Sequence, residues 1–224
     1  MMDIVLTAKI VVVAAAAVLA GYVIWKIRSH DRQNRLHMLD PFLKVLDHPQ
    51  VSLTPWRYPT VKGGLDSSAA RVDLFPDTLV LRTLPTLWLQ VRWRRAHSGS
   101  IRVTVQPSGT EYFTEENGLG TRFLPPPGWP ETTEVCGSGS ESLHVLRLLQ
   151  ELDLSEFPSL KQLIVNDREV QVTMRCARGD RSTYRVLRSV KFPADAISQN
   201  IVAETLTLLR TVEEKLSEHE PSEA

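Results

Sequence analysis

Residues 87–106 read LWLQVRWRRAHSGSIRVTVQ. Leu87, Leu89, Val91 and Trp93 alternate with Trp88, Gln90, Arg92 and Arg94. After a break at Ala96, His97, Ser98 and Gly99 the alternation resumes with Ile101, Val103 and Val105 against Arg102, Thr104 and Gln106. Successive side chains of a strand point to opposite faces, so this period of two predicts a hairpin with one buried and one wet face.

Working outward, residues 69–75 and 78–83 are expected to form two more strands, broken by Pro76-Asp77 and by Pro85, and Gly63-Gly64 through Ser67-Ser68 a turn or mobile loop. Before them, Leu36, Leu39, Leu43 and Leu46 recur at helical spacing. Asp40-Pro41 suits an N-cap and first helical position, giving a helical stretch that restarts at Asp40 and ends before Pro49. Residues 107–134, rich in Pro and Gly, are the least regular, and Ser138 with Glu141 reads as a capping box ahead of a helix carrying Leu143, Leu146 and Leu149. A second hairpin is expected from residues 160–165 and 170–176 around Asn166-Asp167. A strand through Tyr184, Val186 and Val190 follows, then a long helix carrying Ile197, Ile201, Leu206, Leu209, Val212 and Leu216. Strands, a helix, more strands and a closing helix predict an α+β fold of antiparallel hairpins with a middle helix and a long C-terminal helix.

The N-terminus has another character. Residues 10–25, IVVVAAAAVLAGYVIW, carry no charge, and the apolar character extends over residues 4–27. As a helix that stretch measures roughly 35 Å, enough for a hydrocarbon core of about 30 Å, and predicts a transmembrane anchor. Lys9, Tyr22, Trp25, Lys26 and Arg28 would flank it. A cleavable signal peptide ending near Ala20 is the competing reading, although cleavage there leaves an apolar new terminus, GYVIWKI. Lys26, Arg28, Arg32 and Arg35 stand against Asp31 on the C-terminal side, so the positive-inside bias predicts a single-pass cell-membrane protein with its domain in the cytoplasm. The expected organisation is an anchor and basic collar over residues 1–35, one soluble domain over 36–216 and a disordered tail over 217–224. This order of elements resembles a loose class of uncharacterised bacterial single-pass membrane proteins with a cytoplasmic α+β domain. The resemblance supports the topology and transfers no site residue.

Composition narrows the function. In 224 residues, 42% hydrophobic and 23% charged residues describe a folded chain, and a net charge of zero argues against a protein gripping nucleic acid along its length. Cys136 and Cys176 are too few for a disulfide scaffold or a four-cysteine zinc site, and in a cytoplasmic domain they are expected as reduced, buried thiols. Six histidines stand apart from one another and from metal-ligand spacing. Residues 136–140, CGSGS, lack the lysine of a phosphate loop. No catalytic residue, cofactor or metal is expected from these patterns.

Charge distribution says more than its total. Residues 1–110 hold 14 Lys or Arg against 7 Asp or Glu, a balance of +7, and residues 111–224 hold 12 against 19, a balance of −7. Arg92, Arg94 and Arg102, with Arg95 beside them, form the candidate contact for the membrane or an acidic partner. The leading expectation is a membrane-tethered binding or scaffolding module: it contacts lipid through residues 4–27, acts by raising local concentration on that membrane, and receives a membrane-protein or acidic-surface partner. The alternative is a membrane-anchored hydrolase-like enzyme whose cleft lies under residues 107–134 and uses Glu111, Glu115 and Glu116.

Overall fold

A computed structural model describes residues 2–54, 58–77, 85–95, 97–107, 120–179 and 192–217; in the N-terminal helix, the side chains of residues 2–13, 24, 27, 28, 31 and 32 lie outside the description. In place of hairpins grouped around helices, the described residues form one nine-stranded antiparallel sheet with few helices. In chain order the elements are α1 (Met2–His37), α2 (Asp40–Leu43), β1 (Asp47–Leu53), β2 (Pro59–Leu65), β3 (Ser68–Asp77), β4 (Thr86–Trp93) and β5 (Ser100–Thr104). They continue with β6 (Thr121–Phe123), β7 (Glu134–Ser138), α3 (Gly139–Leu149), a 3-10 turn at Leu154–Glu156, β8 (Leu160–Val165), β9 (Val170–Arg178) and α4 (Gln199–Ser217). The sheet order is β1-β2-β3-β4-β9-β8-β5-β7-β6.

The alternation at residues 87–93 is real, but the hairpin expected with residues 101–106 does not form. β4 pairs with β3 and β9, β5 pairs with β7 and β8, and two strands separate them. Alternation specifies faces and leaves the neighbour open, and each edge of β4 finds its partner elsewhere. Gly63 and Gly64 lie within β2, paired with Ala70 and Ala69, so the expected loop shrinks to Asp66 and Ser67. Both have positive φ, 45° and 66°, as a two-residue primed turn between twisted strands requires. Gly63 has no room for a side chain, because a Cβ there would sit 2.8 Å from Asp47 O.

One face of the sheet is dry. Val61, Val72, Leu74, Leu87, Leu89, Val91, Trp93, Ile101, Val103, Leu163, Val172 and Met174 are buried in one cluster with Leu149 of α3 and Leu208, Leu209 and Val212 of α4. A stripe of apolar residues on α4 meets the odd-numbered side chains of β4, which explains why period 3.6 and period 2 agree on one core. α3 is not entered through the expected capping box. Ser138 makes no side-chain cap. Instead the Ser142 hydroxyl accepts from Ser138 N–H (2.9 Å) and shares its proton between Ser100 O (2.6 Å) and Ser138 O (2.7 Å). Gly137 makes this approach feasible, since a Cβ there would stand 2.6 Å from Ser142 Cβ and 2.7 Å from Phe123. The CGSGS segment is therefore a strand end packed under α3. The restart at Asp40 is a four-residue helix with Leu39 at the cap; Phe42 is buried, and Asp40 pairs with His37 at 3.0 Å.

α1 is continuous from Met2 to His37. Among the described residues no helix is long and apolar enough to cross a membrane. The expected transmembrane anchor, single-pass topology and cell-membrane localisation are therefore not supported. Of the proposed anchor flanks, Tyr22, Trp25 and Lys26 are exposed, with the two rings 6.2 Å apart, and the side chains of Lys9 and Arg28 lie outside the description.

The expected strands at residues 78–83 and 184–190, and Glu111, Glu115 and Glu116 of the hydrolase reading, fall outside the described residues.

Candidate functional site

The even-numbered residues of β4 face away from α3 and α4, and cross-strand register extends that face across the sheet. Thr60, Asp73, Gln90, Thr173, Gln162 and Thr104 are successive partners on β2, β3, β4, β9, β8 and β5, and all six are buried. Two residues further along the strands runs a second row: Lys62, Arg71, Arg92 and Gln171, continuing on the far strands with Ile164, Arg102, Cys136 and Arg122.

The first row is knit by hydrogen bonds. Thr60 Oγ1 donates to Asp73 Oδ1 at 2.7 Å, and Arg71 Nε lies 2.7 Å from Asp73 Oδ2. Arg92 Nε donates to Gln90 Oε1 at 3.1 Å, and Gln162 Nε2 to Thr104 Oγ1 at 3.3 Å. Gln162 Oε1 and Thr173 Oγ1, adjacent in register, have no hydrogen-bond partner among the described residues. Two buried polar atoms in one place are unusual, because each costs desolvation without return.

The second row opens into a groove of about 810 Å³ at the end of the sheet, lined by Lys62, Arg71, Arg92, Arg94 and Arg168 against Asp167 and Glu169. Gly63, Ala69 and Ala70 leave space between the cations. Neighbouring strands are about 4.8 Å apart, so Lys62, Arg71 and Arg92 project at that repeat from three adjacent strands, with Arg94 two residues beyond Arg92. Three of the cations have acidic neighbours: Arg71 has Asp73, Arg92 has Glu169 at 3.9 Å, and Arg168 has Asp167 at 3.9 Å. Lys62 and Arg94 make no ion pair and no side-chain hydrogen bond among the described residues.

Of the four arginines singled out from sequence, Arg92 and Arg94 line this groove. Arg102 lies on the same face, three strands from Arg92 in the sheet order. Arg95 belongs elsewhere. Its guanidinium stacks 4.6 Å above the Trp93 ring, donates to Asp66 O at 3.0 Å and lies 3.4 Å from Glu213 of α4. His97 meets the same Glu213 at 3.0 Å. Arg95 is thus a clamp between the β2–β3 turn, β4 and α4. Lys62, Arg71 and Arg168 went unnoticed because register, not proximity in sequence, brings them to Arg92.

The two cysteines are free. Cys136 is buried on the polar face, between Arg102 and Arg122 in register. Cys176 sits at the bulge where β9 meets β4, and burial pushes its thiol up to about 12, with the Glu204 carboxylate adding to the rise and a backbone hydrogen bond at Leu89 opposing it. A pKa raised on folding stabilises the neutral form, so this contribution is full below about pH 9 and is lost as pH climbs from there towards 12. At pH 9 the native Cys176 thiol is therefore far less ionised than the same thiol in an unfolded chain. Iodoacetamide labelling followed by mass spectrometry should show Cys176 protected in the native protein and reactive in guanidinium; equal rates in both would refute the burial argument.

Among the described residues no group of three or more His, Cys, Asp or Glu could hold a metal ion. No family model matches the chain, and no curated protein matches it. One solved structure is similar, the crystal structure of the mycobacterial trehalose monomycolate transport factor A, TtfA, at 9% identity over 82% of this chain and 93% of that one, with a TM-score of 0.47.

Proposed function

We propose that the chain is a binding module whose polar sheet face receives an acidic protein partner in the groove of Lys62, Arg71, Arg92, Arg94 and Arg168. The observation that carries the proposal is the pair Lys62 and Arg94: two cations on the groove wall with no acid among the described residues to neutralise them, beside Arg71 and Arg92, which have one each. A strand-borne cation is held in place by the ladder, so its charge is presented without the ordering cost of a loop. Recognition is electrostatic: the partner's carboxylates supply the missing counter-charges, and the small residues Gly63, Ala69 and Ala70 let its backbone approach. The interspersed acids Asp167 and Glu169 disfavour a uniformly charged phosphodiester backbone, which favours a polypeptide with mixed side chains.

Fluorescence anisotropy with a labelled decaglutamate peptide at low ionic strength tests this. Binding should be saturable and weaken as salt is raised. K62Q/R94Q should weaken it about tenfold, a loss of about 1.4 kcal/mol. R122Q, at the opposite edge of the sheet, should leave it within twofold. An unchanged affinity in K62Q/R94Q would remove the groove as the site.

A further inference from the structure

At the edge of the sheet far from β1, the chain leaves β6 through Leu124, Pro125, Pro126, Pro127 and Gly128. Leu124, Pro125 and Pro126 each precede a proline, which confines their ψ to the extended region, and the proline rings hold φ near −65°. Covalent geometry alone therefore sets this stretch as polyproline II. Trp129 N–H donates to Pro126 O at 3.2 Å and Gly128 has φ 94°, so Pro127 and Gly128 are the central residues of a type II turn that ends it.

Both ends are held. Phe123 pairs with Val135 of β7 and packs against the core, and Trp129 is buried, its indole Nε1–H donating to Leu152 O at 2.8 Å. Polyproline II has three residues per turn and rises about 3.1 Å per residue, so Leu124 and Pro127 share one edge, about 9 Å apart. Both are exposed, Leu124 at 90%, while Pro125 and Pro126 are half-buried. Arg122, two residues before Leu124, is exposed and makes no ion pair and no side-chain hydrogen bond among the described residues.

We infer that Leu124 and Pro127 form the contact ridge for a partner protein that reads polyproline II through an aromatic-lined groove, with Arg122 entering an acidic pocket at one end of it. Such grooves gain affinity from a ridge that is already in its bound conformation, and here the chain is held at both ends before any partner arrives. Pro125, Pro126 and Pro127 have no N–H, so the segment cannot extend the β6 ladder to a strand of a second copy. The ridge is separate from the basic groove on β2, β3 and β4 and does not depend on it.

The test titrates an isotope-labelled SH3 domain, which has an aromatic groove with an acidic pocket beside it, with the full chain and follows the domain's resonances by NMR. Resonances of the aromatic groove should shift saturably. L124A/P127A should weaken binding about tenfold and R122Q about threefold, while K62Q/R94Q leaves it unchanged. L124A alone should keep the parent's urea midpoint and still lose about fivefold in affinity, which separates contact from folding. Groove resonances that stay still, or that move as far with L124A/P127A as with the parent, would overturn the inference.

Discussion

Replacing Trp93 by Ala should lower the unfolding free energy by about 3 to 5 kcal/mol. Among the described residues Trp93 is the largest fully buried side chain, at 1% exposure, and it ends β4 between Ala70 of β3 and Val170 of β9. Its indole Nε1–H donates to Leu65 O at 2.9 Å, and the Arg95 guanidinium covers its face. Truncation opens a cavity on the dry face, orphans the Leu65 carbonyl and removes the surface on which Arg95 rests before it reaches Glu213. The loss is a large part of the roughly 5 to 15 kcal/mol that holds a domain folded. Urea unfolding followed by circular dichroism should show a lower midpoint with an unchanged slope. Trp93→Phe keeps most of the volume and gives up only the hydrogen bond, so it should cost about 1 to 2 kcal/mol. A Trp93→Ala midpoint equal to that of the parent would mean that the clamp of turn, strand and helix at this end of the sheet contributes little.

How far these features were legible in sequence depends on their range. Period two over residues 87–93 separated Leu87, Leu89, Val91 and Trp93 from Trp88, Gln90 and Arg92, because alternation is a local consequence of the pleat, but the second face was expected to be wet and Trp88 and Gln90 on it are buried. It could not name the neighbours of β4, since β9 lies some eighty residues downstream and no local pattern records that pairing. The hairpin between β8 and β9 was readable because its turn is local: Asn166 Oδ1 accepts from the backbone N–H groups of Arg168 and Glu169, both at 2.9 Å. The same parity that placed Arg92 and Arg94 together also sends Arg95 to the opposite face, a signal present in the sequence and not used. Gly63-Gly64 read as a loop because glycine weakens strands, while close packing against residues 46 and 47 is the reason for Gly63. A loop at that pair would leave Lys62 and Arg71 unpaired, whereas β2 carries through it and sets the two side by side in register. The N-terminal apolar run predicted a membrane span from hydropathy alone, and among the described residues no helix is long and apolar enough to cross a membrane.

Asp73 links the stability of the sheet to the charge in the groove, and its substitution should move the two in opposite directions. Its carboxylate is buried on the polar face, accepting from Thr60 Oγ1 at 2.7 Å and holding Arg71 at 2.7 Å. Removing one member of a buried pair costs about 3 to 5 kcal/mol, because the other charge is left without compensation. Here Arg71 keeps 44% of its side chain exposed and can rehydrate, so Asp73→Ala should cost about 2 to 3 kcal/mol. Asp73→Asn still accepts from Thr60 and should cost less, about 1 to 2 kcal/mol. In both variants the Arg71 guanidinium loses its intrachain counter-charge and becomes available to a ligand of the groove. Decaglutamate affinity should therefore rise, about threefold for Asp73→Asn, while the urea midpoint falls. Thr60→Val combined with Asp73→Leu removes both polar partners at once and should recover much of the lost stability, while keeping the gain in affinity because Arg71 remains free of Asp73. Affinity that falls together with stability in Asp73→Asn would show that Arg71 supports the sheet and takes no part in the groove, and it would leave Lys62 and Arg94 as the whole of the site.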